Sequence, residues 1–260
     1  LLVPVAEATA PRPSADSSAR RPDPVLSLLV AYRIGSSTWR ELPARTGGMQ
    51  AAAAAGELSY RSGGGDSPLT VTERYRTDGR SMDWIVELAA TGRDPVEIGD
   101  LAISIPASGP SGPNPQAIFE RGFLRHQFVS GHGSFFYFVR ASGAPPFLLV
   151  TVLPGTKLEY SSSSGGRGGV QVFVHSAASG GAETRGTWRQ AHTALTLAPA
   201  GRPESAATYG FRMQWAGSYE ELRDALCREG LFDIRVAPSM TVPEDLTARF
   251  SLRTKAKIEE

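Results

Sequence analysis

The sequence of 260 residues has a single cysteine, Cys227. That excludes an internal disulfide framework, although a core of this size needs no such staples. Charge of one sign is also missing: 27 basic and 26 acidic residues leave a net +1. With no basic field to attract a phosphate backbone, a nucleic-acid partner is not expected. No apolar run approaches the ~20 residues of a membrane-spanning helix, so no membrane partner is expected. Only four histidines occur, at 126, 132, 175 and 192, and none has metal-ligand spacing to another. A metal centre needs three or four converging ligands, so none is expected. No G-x-S-x-G elbow supports a serine nucleophile. The Gly-rich Ser163 to Gly169 stretch is not followed by Lys-Ser or Lys-Thr, so it is no phosphate loop and no cofactor is expected. The chain opens on Leu1 rather than Met, which reads as a processed chain or part of a longer one.

What the chain does have is concentrated between Arg125 and Tyr160. Phe135 to Val139 and Phe147 to Leu153 are dense in Phe, Val, Tyr and Leu and are bounded by Gly and Pro. Runs of that length and composition read as strands. Ser130-Gly131-His132-Gly133-Ser134 is a turn, and Ala144-Pro145-Pro146 and Pro154-Gly155 close the next connections. Short loops between successive strands predict an antiparallel meander.

Elsewhere the period-two pattern is as plain. Leu69, Val71 and Tyr75 alternate with polar residues, Glu73 being the exception on the apolar side, and Met82, Trp84, Val86 and Leu88 follow Asp78-Gly79. Asp-Gly between two alternating runs is a strong hairpin signal. Apolar residues sit at even positions in Val96 and Ile98 but at odd ones in Leu101, Ile103 and Ile105. That change of phase predicts a bulge at Gly99-Asp100. Further strands are expected at Val25 to Ile34, Val170 to Val174, Ala194 to Leu197, Thr208 to Trp215, Leu231 to Val236 and Ala248 to Leu252. One helix stands out after Ser218, where Glu221 completes a capping box and Gly230 follows as the natural C′ residue. Ala51 to Ala55 favours a helix on propensity but offers little to bury.

About a dozen strands with turn signals every ~8–15 residues predict an all-β fold, a large antiparallel β-sandwich with one short helix near the C-terminus. Residues 1–24, rich in Pro, Ser and Arg, read as a disordered leader. Ala8-Thr9-Ala10 offers a small-x-small cleavage site, so a secreted or periplasmic location is expected. The sandwich is expected over 25–230 and C-terminal strands or a linker over 231–260.

Several stretches resemble a bacterial family of uncharacterised function: HQFVSGHGSFFYFVR (126–140), PGTKLEY (154–160), HSAA (175–178), WRQ (188–190) and GLFDIRVAPSMTVPEDL (230–246). The resemblance covers roughly residues 60–260. It implies the N-terminal β-supersandwich, galactose-mutarotase-like, of a large secreted protein of glycoside hydrolase or polysaccharide lyase type. It also implies a helical (α/α) toroid as partner domain and a polysaccharide or oligosaccharide as ligand. The sandwich is then part of an enzyme and not catalytic alone. A free-standing carbohydrate-binding module and a self-contained glycosidase or lyase are the alternatives.

The candidate substrate-binding residues are His126, His132, Ser134, Trp188, Arg189 and Gln190; no catalytic residue is assigned. The two histidines flank one turn, where they either cap it or face a sugar. Trp188 with its polar neighbours suits a sugar platform, whereas Trp84 and Trp215 are in phase with apolar strand faces and are expected in the core. Glycoside hydrolysis would need two carboxylates roughly 5–9 Å apart, for which Asp100, Glu120 and Glu159 are the loop-proximal candidates.

Overall fold

The structure, a computed structural model, describes residues 26–42, 57–105, 114–129, 131–163, 170–180, 192–237, 243–255 and 257. The leader, the Ala51 to Ala55 stretch, Ser130 and the Trp188-Arg189-Gln190 group lie outside the described residues.

Two antiparallel sheets make the sandwich. In the first, β1 (Ser27–Ile34) and β2 (Arg40–Glu41) pair on one side of β6 (Val96–Ile105), and β11 (Val170–Ser176) and β10 (Tyr160–Ser163) on the other, in the order β10-β11-β6-β1-β2. A short strand, β12 (Leu195–Leu197), also pairs with β6. The second sheet runs β3-β4-β5-β13-β9-β8-β7, from β3 (Glu57–Gly63), β4 (Leu69–Thr77) and β5 (Ser81–Ala90) through β13 (Ala206–Ala216) to β9 (Phe147–Val152), β8 (Phe135–Arg140) and β7 (Phe123–Phe128). The last three are the meander read from sequence. A separate hairpin pairs β14 (Asp233–Ala237) with β15 (Arg249–Arg253).

Period-two alternation decides what each strand buries. On β8, Phe136 and Phe138 enter the core between the sheets with Trp84, Phe211, Leu101 and Ile103. Phe135, Tyr137 and Val139 point to the opposite face, where Phe147, Leu149 and Ala216 join them. That outer face is covered by helix α3 (Tyr219–Arg228) through Leu222, Ala225 and Leu226. The N-cap forms as expected, Glu221 N donating to Ser218 Oγ at 3.1 Å, while the Glu221 carboxylate reaches one residue further back and accepts from Gly217 N at 2.7 Å. Gly230 takes φ +77 just past the helix, a conformation other residues resist. Arg212 of β13 anchors the far end of α3, bonding Asp83 on β5 at 2.8 and 2.9 Å and Glu229 at 3.3 Å.

Two helices join the one expected: α1 (Pro115–Arg121) and α2 (Ala177–Gly180). Asn114, capping Gln116 N and Ala117 N ahead of Pro115, is a start signal for α1 that the sequence does carry. Without an apolar stripe beside it, that signal is easily taken for a loop. The four-residue α2 is capped from another strand by Asp100, which accepts from Ala178 N, Ser179 N and Ser179 Oγ. No local pattern reveals a cap from 78 residues away.

The bulge falls where the phase change puts it. Ala31 pairs with Asp100 and Tyr32 with Ile98, leaving Gly99 as the extra residue. A Cβ at Gly99 would lie 2.6 Å from the Trp39 ring and 2.9 Å from Ala178 Cβ, so only glycine fits there. Trp84 is fully buried as expected, but Trp215 is 50% exposed. It keeps the phase of Phe211 and Met213, yet β5 stops pairing at Gln214, so Trp215 extends past the covered part of the sheet.

Candidate functional site

Two arrangements of polar and aromatic side chains arise from this architecture, on opposite sides of the second sheet. The first is a cleft of about 620 Å³ between the outer face of β7 and β8 and the α3–β14 unit. Register places its aromatic wall. His126 on β7 is directly opposite Tyr137 on β8, so both project to the α3 face. Their rings stack with centroids 4.7 Å apart and planes 15° from parallel. Tyr219, in the first turn of α3, stands edge-on to Tyr137 at 6.5 Å. Burial is the main cause of the raised pKa of the Tyr137 hydroxyl, helped by Tyr219 and Asp233.

The opposite wall is charged. Arg223 is held by Asp233 through bonds of 2.9 Å (Nε to Oδ1) and 2.5 Å (Nη2 to Oδ2), and both side chains are nearly buried. Glu220 bridges Arg223 and Arg235 at 3.4 and 2.8 Å but is itself 72% exposed, so this bridge is worth little. The cleft thus offers apolar ring faces on one side and fixed donors and acceptors on the other.

His132 does not line this cleft. It lies in the turn before β8, its Nδ1 3.0 Å from the Thr156 carbonyl. A carbonyl can only accept, so Nδ1 carries the proton. Ser134 is fully buried and donates to Gly131 O at 2.7 Å, closing the same turn. Gly131 also exchanges backbone bonds with Leu158, tying the turn to the chain before β10. Of the six candidate residues, then, the structure puts His126 in the cleft and His132 and Ser134 in the turn. Trp188, Arg189 and Gln190 are not among the described residues.

The second arrangement was not read from sequence as a unit. Along β6, the partner changes from β11 (down to Asp100) to β12 (from Ile98). Across that junction Glu159 collects three donors: Ser176 Oγ at 2.5 Å and Thr193 N at 2.9 Å on Oε1, and Thr193 Oγ1 at 2.6 Å on Oε2. His192 Nδ1 lies 2.9 Å from Ser176 Oγ. His175 bridges Thr193 Oγ1 at 3.0 Å and the Tyr209 hydroxyl at 2.7 Å. The residues come from four separate stretches, which is why spacing along the chain could not assemble them. Asp100 and Glu120 fall outside the cluster: the first caps α2 and the second accepts from Gln116 within α1. Among the described residues no group of three or more His, Cys, Asp or Glu is placed to hold a metal ion, and no helix is long and apolar enough to cross a membrane.

Burial lowers the pKa of His175, with Glu159 opposing the shift, and pushes the Tyr209 hydroxyl up to about 12. Between the ordinary histidine value near ~6.5 and the depressed native one, the unfolded chain binds more protons than the folded chain. Stability is therefore expected to fall as the pH drops below ~6.5. In His175→Gln that part of the pH dependence disappears; urea midpoints measured on both sides of this range check it, and an unchanged slope assigns the effect elsewhere.

No protein-family model matches the sequence, and no curated protein matches it. Among solved structures, a polysaccharide lyase superposes with a TM-score of 0.58 at 13% identity, covering 81% of this chain and 28% of the lyase. The chain therefore spans little more than a quarter of that enzyme's length, and the likeness is one of fold. An aldose 1-epimerase-like protein of Escherichia coli K12 gives a TM-score of 0.37 at 8% identity, covering 63% of this chain and 66% of that one.

Proposed function

We propose that this chain is the β-sandwich part of a secreted or periplasmic carbohydrate-active enzyme of polysaccharide lyase or glycoside hydrolase type, and that the cleft beside α3 contributes a sugar-contacting surface. The observation that carries the reading is the composition of the cleft. A volume of about 620 Å³ lies within the roughly 300–1,000 Å³ of small-molecule sites. Its stacked His126 and Tyr137 rings and the Tyr219 edge suit the C–H faces of a pyranose, and Arg235 and Glu220 suit its hydroxyls. The likeness to a segment of a polysaccharide lyase supports a sandwich working within a larger enzyme.

The β14–β15 hairpin favours this reading over a free-standing binding module. Ile234 pairs with Leu252 and Val236 with Phe250, which places four apolar side chains on one face. Arg235 and Arg253, on the other face, bond Glu220 and Asp224 of α3. Among the described residues nothing covers the apolar face, where Phe250 is 79% exposed. A two-stranded hairpin that turns its charges inward and its apolar side outward suits docking against another domain, and a helical catalytic domain is the partner proposed.

The test is titration of the intact chain with oligosaccharides cut from several polysaccharides, read by calorimetry. For a glycan that binds, Tyr219→Ala and His126→Ala are each expected to weaken Kd roughly tenfold, equivalent to ~1.4 kcal/mol. Trp215→Ala, exposed but outside the cleft, serves as the control and should leave Kd unchanged. Equal affinity in all three variants removes the cleft from the proposal.

A further inference from the structure

The hydrogen bonds around Glu159 determine where each proton in that cluster resides. An ionised carboxylate only accepts, and a hydroxyl has one proton to give. Ser176 and Thr193 both commit theirs to Glu159. Their oxygens can then only accept, Ser176 Oγ from His192 Nδ1 and Thr193 Oγ1 from His175 Nδ1. Each imidazole, when neutral, is therefore protonated on Nδ1 and bare on Nε2.

The two bare lone pairs differ in what they meet. That of His175 accepts the Tyr209 hydroxyl. That of His192 is buried and meets no donor among the described residues. Nor is the ring free to turn. The Gly180 backbone lies so close that a Cβ there would come 2.0 Å from His192 Nδ1, and the Tyr160 ring abuts the imidazole at 5.2 Å. Buried polar atoms without a partner are rare in folded proteins, and each calls for an explanation such as a catalytic role or a bound water or ion; His192 Nε2 is one of six among the described residues, and it alone belongs to this cluster.

We propose that Glu159 is a positioning residue that locks both histidines in the Nδ1–H form, and that His192 Nε2 is thereby held open as the acceptor for a hydroxyl of a bound carbohydrate. The ligand half rests on the carbohydrate reading above; the proton assignment does not.

Nitrogen-15 NMR of the histidine side chains in the intact chain, above neutral pH, tests the first half. Both His175 and His192 should show a protonated Nδ1 and a bare Nε2. In Glu159→Gln the amide oxygen keeps its place before Ser176 Oγ and Thr193 N, while the new NH2 donates to Thr193 Oγ1. That hydroxyl loses its acceptor at residue 159, and His175 Nδ1 is the acceptor left beside it, so the proton of the His175 ring is expected to move to Nε2. His192 stays as it was. A selective flip of one ring is a signature that general loosening would not produce. A wild-type His192 protonated on Nε2, or a Glu159→Gln variant in which His175 keeps Nδ1–H, overturns the assignment.

For the second half, methyl glucoside and methyl galactoside are titrated while the His126 and His192 nitrogens are followed. Movement of His192 Nε2 toward its hydrogen-bonded position supports the site. A response at His126 with His192 silent overturns the site and leaves the carbohydrate reading standing, whereas silence at both overturns both. A His192 Nε2 already at its hydrogen-bonded position before sugar is added means that a trapped water holds the lone pair, and this too overturns the ligand site.

Discussion

Trp84→Ala is expected to destabilise the fold by about 3–5 kcal/mol, the usual range for removing a fully buried large aromatic side chain. Trp84 is entirely inaccessible and lies at the centre of the core between the sheets. Its ring stacks on Tyr75 at 5.4 Å and tilts against Phe211 at 5.8 Å, so the loss combines burial, ring contacts and a cavity that β4, β5 and β13 cannot collapse into. One detail separates this from a simple volume effect. Trp84 Nε1 is buried without a hydrogen-bond partner among the described residues, a cost already present in the native protein. Trp84→Phe removes that N–H along with part of the volume and should cost much less, about 1 kcal/mol, the cavity term being offset by relief of the unpaired donor. Urea denaturation of the two variants distinguishes these cases. Similar losses for Ala and Phe would mean that the indole N–H does find a partner in solution.

Asp233→Ala is expected to cost about 3–5 kcal/mol, because it strands a nearly buried guanidinium. The side chains of Arg223 and Asp233 are 12% and 6% exposed, and the carboxylate meets Nε and Nη2 together. Glu220 offers Arg223 only a long and mostly exposed contact at 3.4 Å, too weak to replace Asp233. The effect should extend to the cleft, since this pair joins α3 to β14 along its charged wall. The double replacement Arg223→Met with Asp233→Leu removes both charges and should recover most of the stability without restoring sugar binding. A loss under ~1 kcal/mol in the single variant would show that the pair is solvated rather than buried.

Much of this fold was legible because its signals are local. Alternation at Leu69 to Leu88, the capping box at Ser218 and the phase change at Gly99 each appear within a few residues, and each corresponds to an element or irregularity in the structure. The Asp78-Gly79 turn also forms, as a connection of three residues between β4 and β5 in which Asp78 Oδ1 accepts from Arg80 N and Ser81 N. These bonds favour the charged carboxylate and lower its pKa. Phase alone does not decide burial: Trp84 and Trp215 share it, yet Trp84 is fully buried and Trp215, one residue past the last pairing with β5, is half exposed.

The site was less legible. His126 could be chosen from the sequence as a residue type, but its stacking on Tyr137 depends on the β7–β8 register and its cleft on where α3 returns. His175, Ser176, His192, Thr193, Glu159 and Tyr209 were unconnected letters in the chain.

The sequence by itself determined an antiparallel all-β sandwich, its bulge and its capped helix, because alternation, capping and turn chemistry act between residues close together in the chain. Only the tertiary structure decided that β11 gives way to β12 along β6, gathering Glu159 and two histidines at the junction, and that α3 folds over the meander to enclose a cleft. These depend on contacts between residues far apart in the chain, such as Ser176 with Glu159, 17 positions away, or Tyr209 with His175, 34 away. Such contacts are set by the packing of whole elements, and no short stretch of sequence encodes which partner a side chain will meet there.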